Sequence, residues 1–350
     1  MSVKTQKFGT TKKGEKATLY TITNKKGNSA SITDFGATLV SFCMKDKNGA
    51  TKDLILGFDD VKPYGKYGDN FGATVGPIAN RTAGAKFILN GKEYRLKAND
   101  GENNLHTHPK KGFQKRMFHG KPGENSVTFV IEKKDLSMGH PGNIKTEVTY
   151  TLTDEDELRI HYHATSDKDT YINLTNHSYF NLNGHASGNI FHERLQIRAK
   201  YYTPVAKGAI PTGEIAPVAE TPMDFTEAKE VCRDFTYNFP QIELVNGYDH
   251  NFVIDDYDGT LKECAAVYDD ASGICMQVFT DLPGVQFYTG NWVGVPEAKG
   301  GASYGPRQGL CLETQHCPDD PNHSNFPGTT VLRPGEVYDT TTIYAFRVDG

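Results

Sequence analysis

Short blocks in which apolar and polar residues alternate, each closed by a turn signal, recur along this 350-residue chain. A period of two places successive side chains on opposite faces, so such blocks predict half-buried antiparallel strands rather than helices. Residues 17–23 and 29–33, separated by Asn24-Lys25-Lys26-Gly27-Asn28, predict one hairpin. Residues 87–89 and 92–96 predict another, because the Asn90-Gly91 pair between them takes the backbone that a two-residue hairpin turn demands. The same grammar continues through 147–152, 158–164, 194–199, 263–268, 274–280 and 340–348. One capped helical turn is expected, at 226–231, where Thr226 precedes Glu227-Ala228-Lys229-Glu230-Val231. No linker, fixed-period repeat or low-complexity tract interrupts the pattern. The expectation is a single all-β domain over 1–350, a large antiparallel β-sandwich with few short helices, and with surface loops such as 207–223 carrying or bordering a site.

Composition removes several function classes. A net charge of -5 without a long basic run argues against a nucleic-acid partner. The beginning of the chain, Met1-Ser2-Val3-Lys4-Thr5-Gln6-Lys7-Phe8-Gly9, has no apolar leader pattern, and no apolar stretch reaches 18 residues, so neither export nor a membrane is expected. Cys43, Cys232, Cys264, Cys275, Cys311 and Cys317 lie far apart with no C-x-x-C pair, which suits free thiols in a reducing, cytoplasmic setting and disfavours thiolate zinc. No phosphate-binding glycine loop and no G-x-S-x-G elbow occurs.

Chemistry concentrates in two segments. Thr175-Asn176-His177-Ser178-Tyr179-Phe180-Asn181-Leu182 surrounds a histidine with short polar groups and aromatics, a density that a strand facing a dry core could not satisfy. Gly309-Leu310-Cys311-Leu312-Glu313-Thr314-Gln315 delivers one carboxylate from an apolar strand. Together they can run acid–base chemistry, since imidazole titrates near ~6.5 and glutamate near ~4.3 when unperturbed. Each also has a plain structural reading, as a hydrogen-bonded sheet histidine and as an ion-paired glutamate. Asn80 and Arg81, His106, Asp249 and Gln286 are further side chains suited to holding hydroxyl groups, each beside a Gly, Pro or aromatic residue. His106-Thr107-His108 could place two imidazoles on one strand face, but no matched carboxylate or cysteine is near, so no metal is expected there.

Taken in order, Asp34-Phe35-Gly36-Ala37, Gly76-Pro77-Ile78-Ala79-Asn80-Arg81, Asn104-Leu105-His106, the run around His177, Gly247-Tyr248-Asp249-His250-Asn251-Phe252-Val253, Gly284 to Trp292, Leu312-Glu313-Thr314-Gln315 and Pro334-Gly335-Glu336 with Tyr338 resemble the aldose 1-epimerase, or galactose mutarotase, family. The resemblance implies a mutarotase-like supersandwich that interconverts the α and β anomers of free hexoses without a cofactor, as a monomer or weak homodimer. It implies that His177 is the general acid, Glu313 the general base, and Asn80, Arg81, His106, Asp249 and Gln286 the sugar-holding set. The chain departs from the usual pattern in Thr107-His108-Pro109, where two glycines are common, and in Gly112-Phe113, which leads to Met117-Phe118 rather than a tryptophan. Two rival functions remain on the same scaffold. One is a non-catalytic sugar sensor; the other is a hexose-phosphate epimerase using the Lys110, Lys111, Lys115 and Arg116 cluster, which otherwise reads as a solvated basic loop.

Overall fold

A computed structural model of the protein describes residues 2–349; Met1 and Gly350, the ends of the expected domain, lie outside the described residues. Three antiparallel sheets carry the architecture. The first is a meander of five strands, Ser2–Thr10, Lys16–Thr23, Ser29–Thr33, Thr38–Lys45 and Thr51–Asp53. The second has nine, in spatial order His119–Pro122, Ser126–Lys133, Ile144–Leu152, Glu157–Ser166, Tyr338–Val348, Ile274–Thr280, Lys262–Tyr268, Arg194–Ile197 and Lys229–Glu230. The third runs Ala216–Pro217, Tyr201–Thr203, Asp249–Val253, Gly284–Tyr288 and Cys311–Gln315. Every block predicted as a strand falls on one, and the hairpin Lys86–Leu89 to Lys92–Arg95 turns at Asn90 and Gly91, with φ of +51° and +73°.

The helices differ from expectation. Residues 226–231 are not helical: the Thr226 N–H and hydroxyl both donate to Asp224, and Lys229–Glu230 pairs with Arg194 and Leu195 at the edge of the nine-stranded sheet. The α-helices are instead Val61–Lys66, whose first turn is capped by Asp60 accepting from Lys62 N–H, and Pro240–Leu244, which opens on proline. The segment 207–223 is also less of a surface loop than expected, since Val218 and Met223 are fully buried. No helix among the described residues is long and apolar enough to cross a membrane.

Alternation explains the packing of the third sheet. Val285, Phe287, Leu312 and Thr314 lie on one side, where the Thr314 and Thr342 hydroxyls meet and Tyr344 donates to the Leu312 carbonyl, so this side packs on the nine-stranded sheet. The other side must then carry Asp249, Asn251, Gln286, Tyr288, Cys311, Glu313 and Gln315. Register completes the arrangement: Asn251 lies opposite Gln286 and Gln286 opposite Glu313, while Asp249 lies opposite Tyr288 and Tyr288 opposite Cys311. Two rows of functional groups therefore cross three strands.

A buried cation ties the first sheet to the segment behind this face. Lys299 Nζ donates to the carbonyls of Val40 (2.6 Å) and Ile55 (2.7 Å) and to Asp53 (2.7 Å). Ile55 bridges to Phe180, and Leu56 N–H donates to the Tyr179 carbonyl, so the clamp also steadies the strand end beyond His177. Lys299→Met is expected to cost about 3 kcal/mol in urea unfolding, because it leaves a carboxylate and two buried carbonyls without their cation. A cost below about 1 kcal/mol would show that the clamp is not what holds this segment.

Candidate active site

His177 follows the short strand Thr175–Asn176, which pairs with Thr74–Val75, and its backbone exchanges hydrogen bonds with Gly72 and Ala73. Asn176 beside it is spent on structure, donating to the Gly72 carbonyl and the Tyr150 hydroxyl. The imidazole stacks on Tyr179 at 5.0 Å and meets Tyr288 edge-on at 6.1 Å. Its Nε2 stands 3.7 Å from Glu313 Oε1, and its Nδ1 3.5 Å from Cys311 Sγ. Glu313 is 3% exposed, and its second oxygen, Oε2, has no hydrogen-bond partner among the described residues. A buried carboxyl oxygen left without a donor is costly, and the Glu313 side chain also lines a cavity that a ligand hydroxyl can enter.

That cavity, about 220 Å³, is lined by His177 and Glu313 together with Asn80, Arg81, His106, Asp249, Tyr179, Tyr288 and Trp292, and by the 68–70 loop. His106 lies at 5.5 Å from His177, ring to ring and edge-on. Its Nδ1 accepts from the Asn80 N–H at 3.0 Å, which leaves Nε2–H as the donor of the neutral ring. Asn80 and His106 have φ of +59° and +55°, conformations that cost non-glycine residues energy and persist because the surroundings hold them. The holding contacts are His106 N–H to the Asn80 carbonyl, Gln114 to the His106 carbonyl, and Asn80 to Gln315. Arg81 bonds Asp100 at 2.8 Å and reaches Asp249 at 3.5 Å; Asp249 also accepts from Gln286 at 2.7 Å.

Six of the seven residues singled out in the sequence therefore line one cavity. Gln286 is not among the lining residues: it lies on the same sheet face, 3% exposed, donating to Asp249 and accepting from Gln315. His106 and His108 do not share a strand face, since Thr107 at φ +62° turns the chain between them and His108 Nδ1 accepts from the Lys110 and Lys111 N–H groups. Thr107 sits where glycine is common, and its fully buried hydroxyl both accepts from and donates to Ile78. The basic cluster lies elsewhere as well. Lys115 is committed to the carbonyls of Tyr64 and Tyr67, and none of Lys110, Lys111, Lys115 or Arg116 lines the cavity; the cationic side chain there is Arg81, paired with Asp100 and Asp249. Tyr288, Cys311, Asp69 and Trp292 were not anticipated. The first two could have been, since each is two positions from a candidate in the same alternation.

Burial dominates the electrostatics. It lowers the His177 pKa to about 4, with Asp249 opposing it, and holds His106 far below the usual imidazole range. It raises the Glu313 carboxyl well above its ordinary value; Asp249 adds to this and Arg81 counters it. Cys311 is likewise kept a thiol by burial and by nearby Glu313. His106, His177 and Glu313 present ligand-type atoms within 4.8 Å of one another, a set of the kind metals also use. With both imidazoles biased to neutral and Glu313 biased to its protonated form, the same set can give a proton on one side of a bound molecule and take one on the other.

An all-β scaffold that lines a small polar cavity with a paired imidazole and carboxyl defines a class of acid–base proteins for small hydroxylated ligands. Residues 18–345 match the family described as aldose 1-epimerase, and the chain belongs to that family. It is 42% identical to galactose mutarotase from Bos taurus over 91% of this chain and 90% of that one. It is 36% identical to aldose 1-epimerase from Escherichia coli, over 95% and 96% of the two chains. Among solved structures it is similar to a C. elegans aldose epimerase homologue, at a TM-score of 0.87 with 31% identity over 95% of this chain and 100% of that one. A galactose 1-epimerase from Lactobacillus acidophilus gives 0.86 with 27% identity over the whole of both chains.

Proposed function

We propose that the chain is a hexose 1-epimerase, an isomerase that interconverts the α and β anomers of galactose and related aldoses. The observation that carries this reading is the buried His177–Glu313 pair, which lines a cavity walled by hydroxyl-binding groups. Family membership supports it independently. Glu313, as carboxylate, takes the proton of the C1 hydroxyl while His177, as imidazolium, protonates the ring oxygen. The C1–O5 bond breaks to give the open aldehyde. Rotation about C1–C2 presents the other carbonyl face, and closure returns both protons, so the pair ends as it began. These two proton transfers draw on no metal or cofactor.

The pair carries one proton throughout. Ring opening leaves it on Glu313 with His177 neutral, which is the arrangement burial favours, so the cavity stabilises the enzyme side of the open-chain stage. The ionised arrangement that starts the step is supported by Arg81 acting on Glu313 and Asp249 acting on His177. A sugar hydroxyl donating to the Glu313 carboxylate favours that arrangement further.

A pH profile follows from the one-proton requirement. Lowering the pH below the depressed His177 value adds a second proton and removes the base; raising it past the elevated Glu313 value removes the acid. Polarimetry of fresh α-galactose, with the spontaneous rate subtracted, is expected to give kcat/KM flat through neutral pH. The acid limb falls near pH 4 and the alkaline limb well above the carboxylate range. An acid limb at the unperturbed imidazole value, about 6.5, would contradict the assignment. Saturable galactose binding with no gain in rate would make the chain a sugar-binding protein instead.

A further inference from the structure

We propose that Trp292 is the stacking wall of the sugar site and selects the galacto over the gluco configuration at C4; this rests on the epimerase reading above. Trp292 is the only tryptophan of the chain, is 68% exposed, and lines the cavity that holds His177 and Glu313. So large an apolar ring left in water at the mouth of a polar cavity contributes nothing to the core.

Its position is fixed by the turn that carries it. Gly290, at φ +62°, takes the chain out of the strand Gly284–Tyr288; a Cβ there would come within 2.9 Å of the Gly309 carbonyl oxygen, so the close approach requires glycine. Asn291 next to it is 1% exposed, and its amide donates to the carbonyls of Val245 (2.9 Å) and Tyr248 (3.0 Å). Trp292 N–H then donates to the Tyr288 hydroxyl at 3.4 Å, and the Tyr288 ring faces the His177 edge. The indole is thus anchored through a rigid turn to the ring that flanks the proposed acid.

The sugar's chemistry gives the indole its task. C1 and O5 must lie beside the buried pair, so the opposite edge, with C3 and C4, lies toward the mouth where Trp292 stands. The cavity is below the usual range for drug-sized ligands, so it encloses about one sugar ring. An axial O4, as in galactose, clears hydroxyls from one face and leaves a continuous C–H patch over C3, C4, C5 and C6 for an aromatic ring to cover. An equatorial O4, as in glucose, places a hydroxyl beside that patch and breaks the match. Arg81 and Asp249 hold hydroxyls; the indole holds the apolar face.

A single tryptophan makes the test direct. Galactose titrated into the wild-type protein is expected to change its emission saturably, at concentrations matching KM. Trp292→Ala is expected to lower kcat/KM for galactose about tenfold, equivalent to about 1.4 kcal/mol, and for glucose less than threefold, while Trp292→Phe keeps most of the galactose activity. Unchanged emission, an unaffected alanine variant, or equal losses on both sugars would overturn the proposal while leaving the epimerase reading intact. A wild-type protein that accelerates neither sugar would instead remove the epimerase reading itself.

Discussion

Replacing Glu313 by glutamine is expected to lower kcat for galactose mutarotation by about 10³-fold while changing stability by less than about 1 kcal/mol. The two side chains are nearly isosteric, and the site is 3% exposed, so the substitution keeps the packing of the strand Cys311–Gln315. Burial already holds the carboxyl toward its neutral form, so an amide replaces one neutral group by another. What disappears is the ability to carry a proton away from the C1 hydroxyl. KM should move little, because Arg81, His106 and Asp249, the proposed sugar-holding set, are unchanged. Polarimetry on the purified variant reads the rate, and urea unfolding reads the stability. A rate within tenfold of wild type in folded protein would remove Glu313 from the reaction.

Much of the scaffold was legible because strand alternation is a local property. The hairpin at Asn90-Gly91 and the strand Ile274–Thr280 follow from residue type and spacing alone. Helices were misplaced for the same reason: local preference is weak over five or six residues, and tertiary pairing overrides it. Glu227-Ala228-Lys229-Glu230 would suit a helix, yet Lys229 Nζ is drawn under the sheet to Pro222 and Asp234, and that burial sets an extended backbone. Val61–Lys66 contains Pro63 and Gly65, both poor helix formers, and a single Asp60 cap together with buried Val61 and Tyr64 decides it.

The candidate site was legible in part, and the division has a physical cause. His177, Glu313, Arg81 and Asp249 stand out because charge and polarity are expensive in apolar strands. What the sequence does not display is register. The row that joins Asp249, Tyr288 and Cys311 exists because three strands pair without a slip, and a one-residue shift would turn that row into the core. Gln286 shows the limit from the other side: its pairing sets it on the same face, opposite Glu313, but its side chain is engaged by Asp249 and Gln315.

His177→Asn is expected to reduce kcat by about 10²–10³-fold, and the double variant with Glu313→Gln to be no slower than the worse single variant. The reasoning is one of stoichiometry. Opening the ring requires a proton to arrive at O5 as another leaves O1; in the proposed mechanism His177 gives the first and Glu313 takes the second, so the pair holds one proton before and after. With either partner gone the other has no complementary transfer to match, so its remaining contribution is small. Two independent contributions would instead multiply, giving a double variant about 10⁵–10⁶-fold slower. The asparagine is also expected to cost about 1–2 kcal/mol of stability through the lost stack on Tyr179 and the lost contact with Cys311, a loss that Glu313→Gln does not share. Polarimetry across the four proteins, with urea titration of each, separates these outcomes. Additive rate losses would mean that the two groups act in different steps, and the shared-proton mechanism would fall even if both residues proved essential.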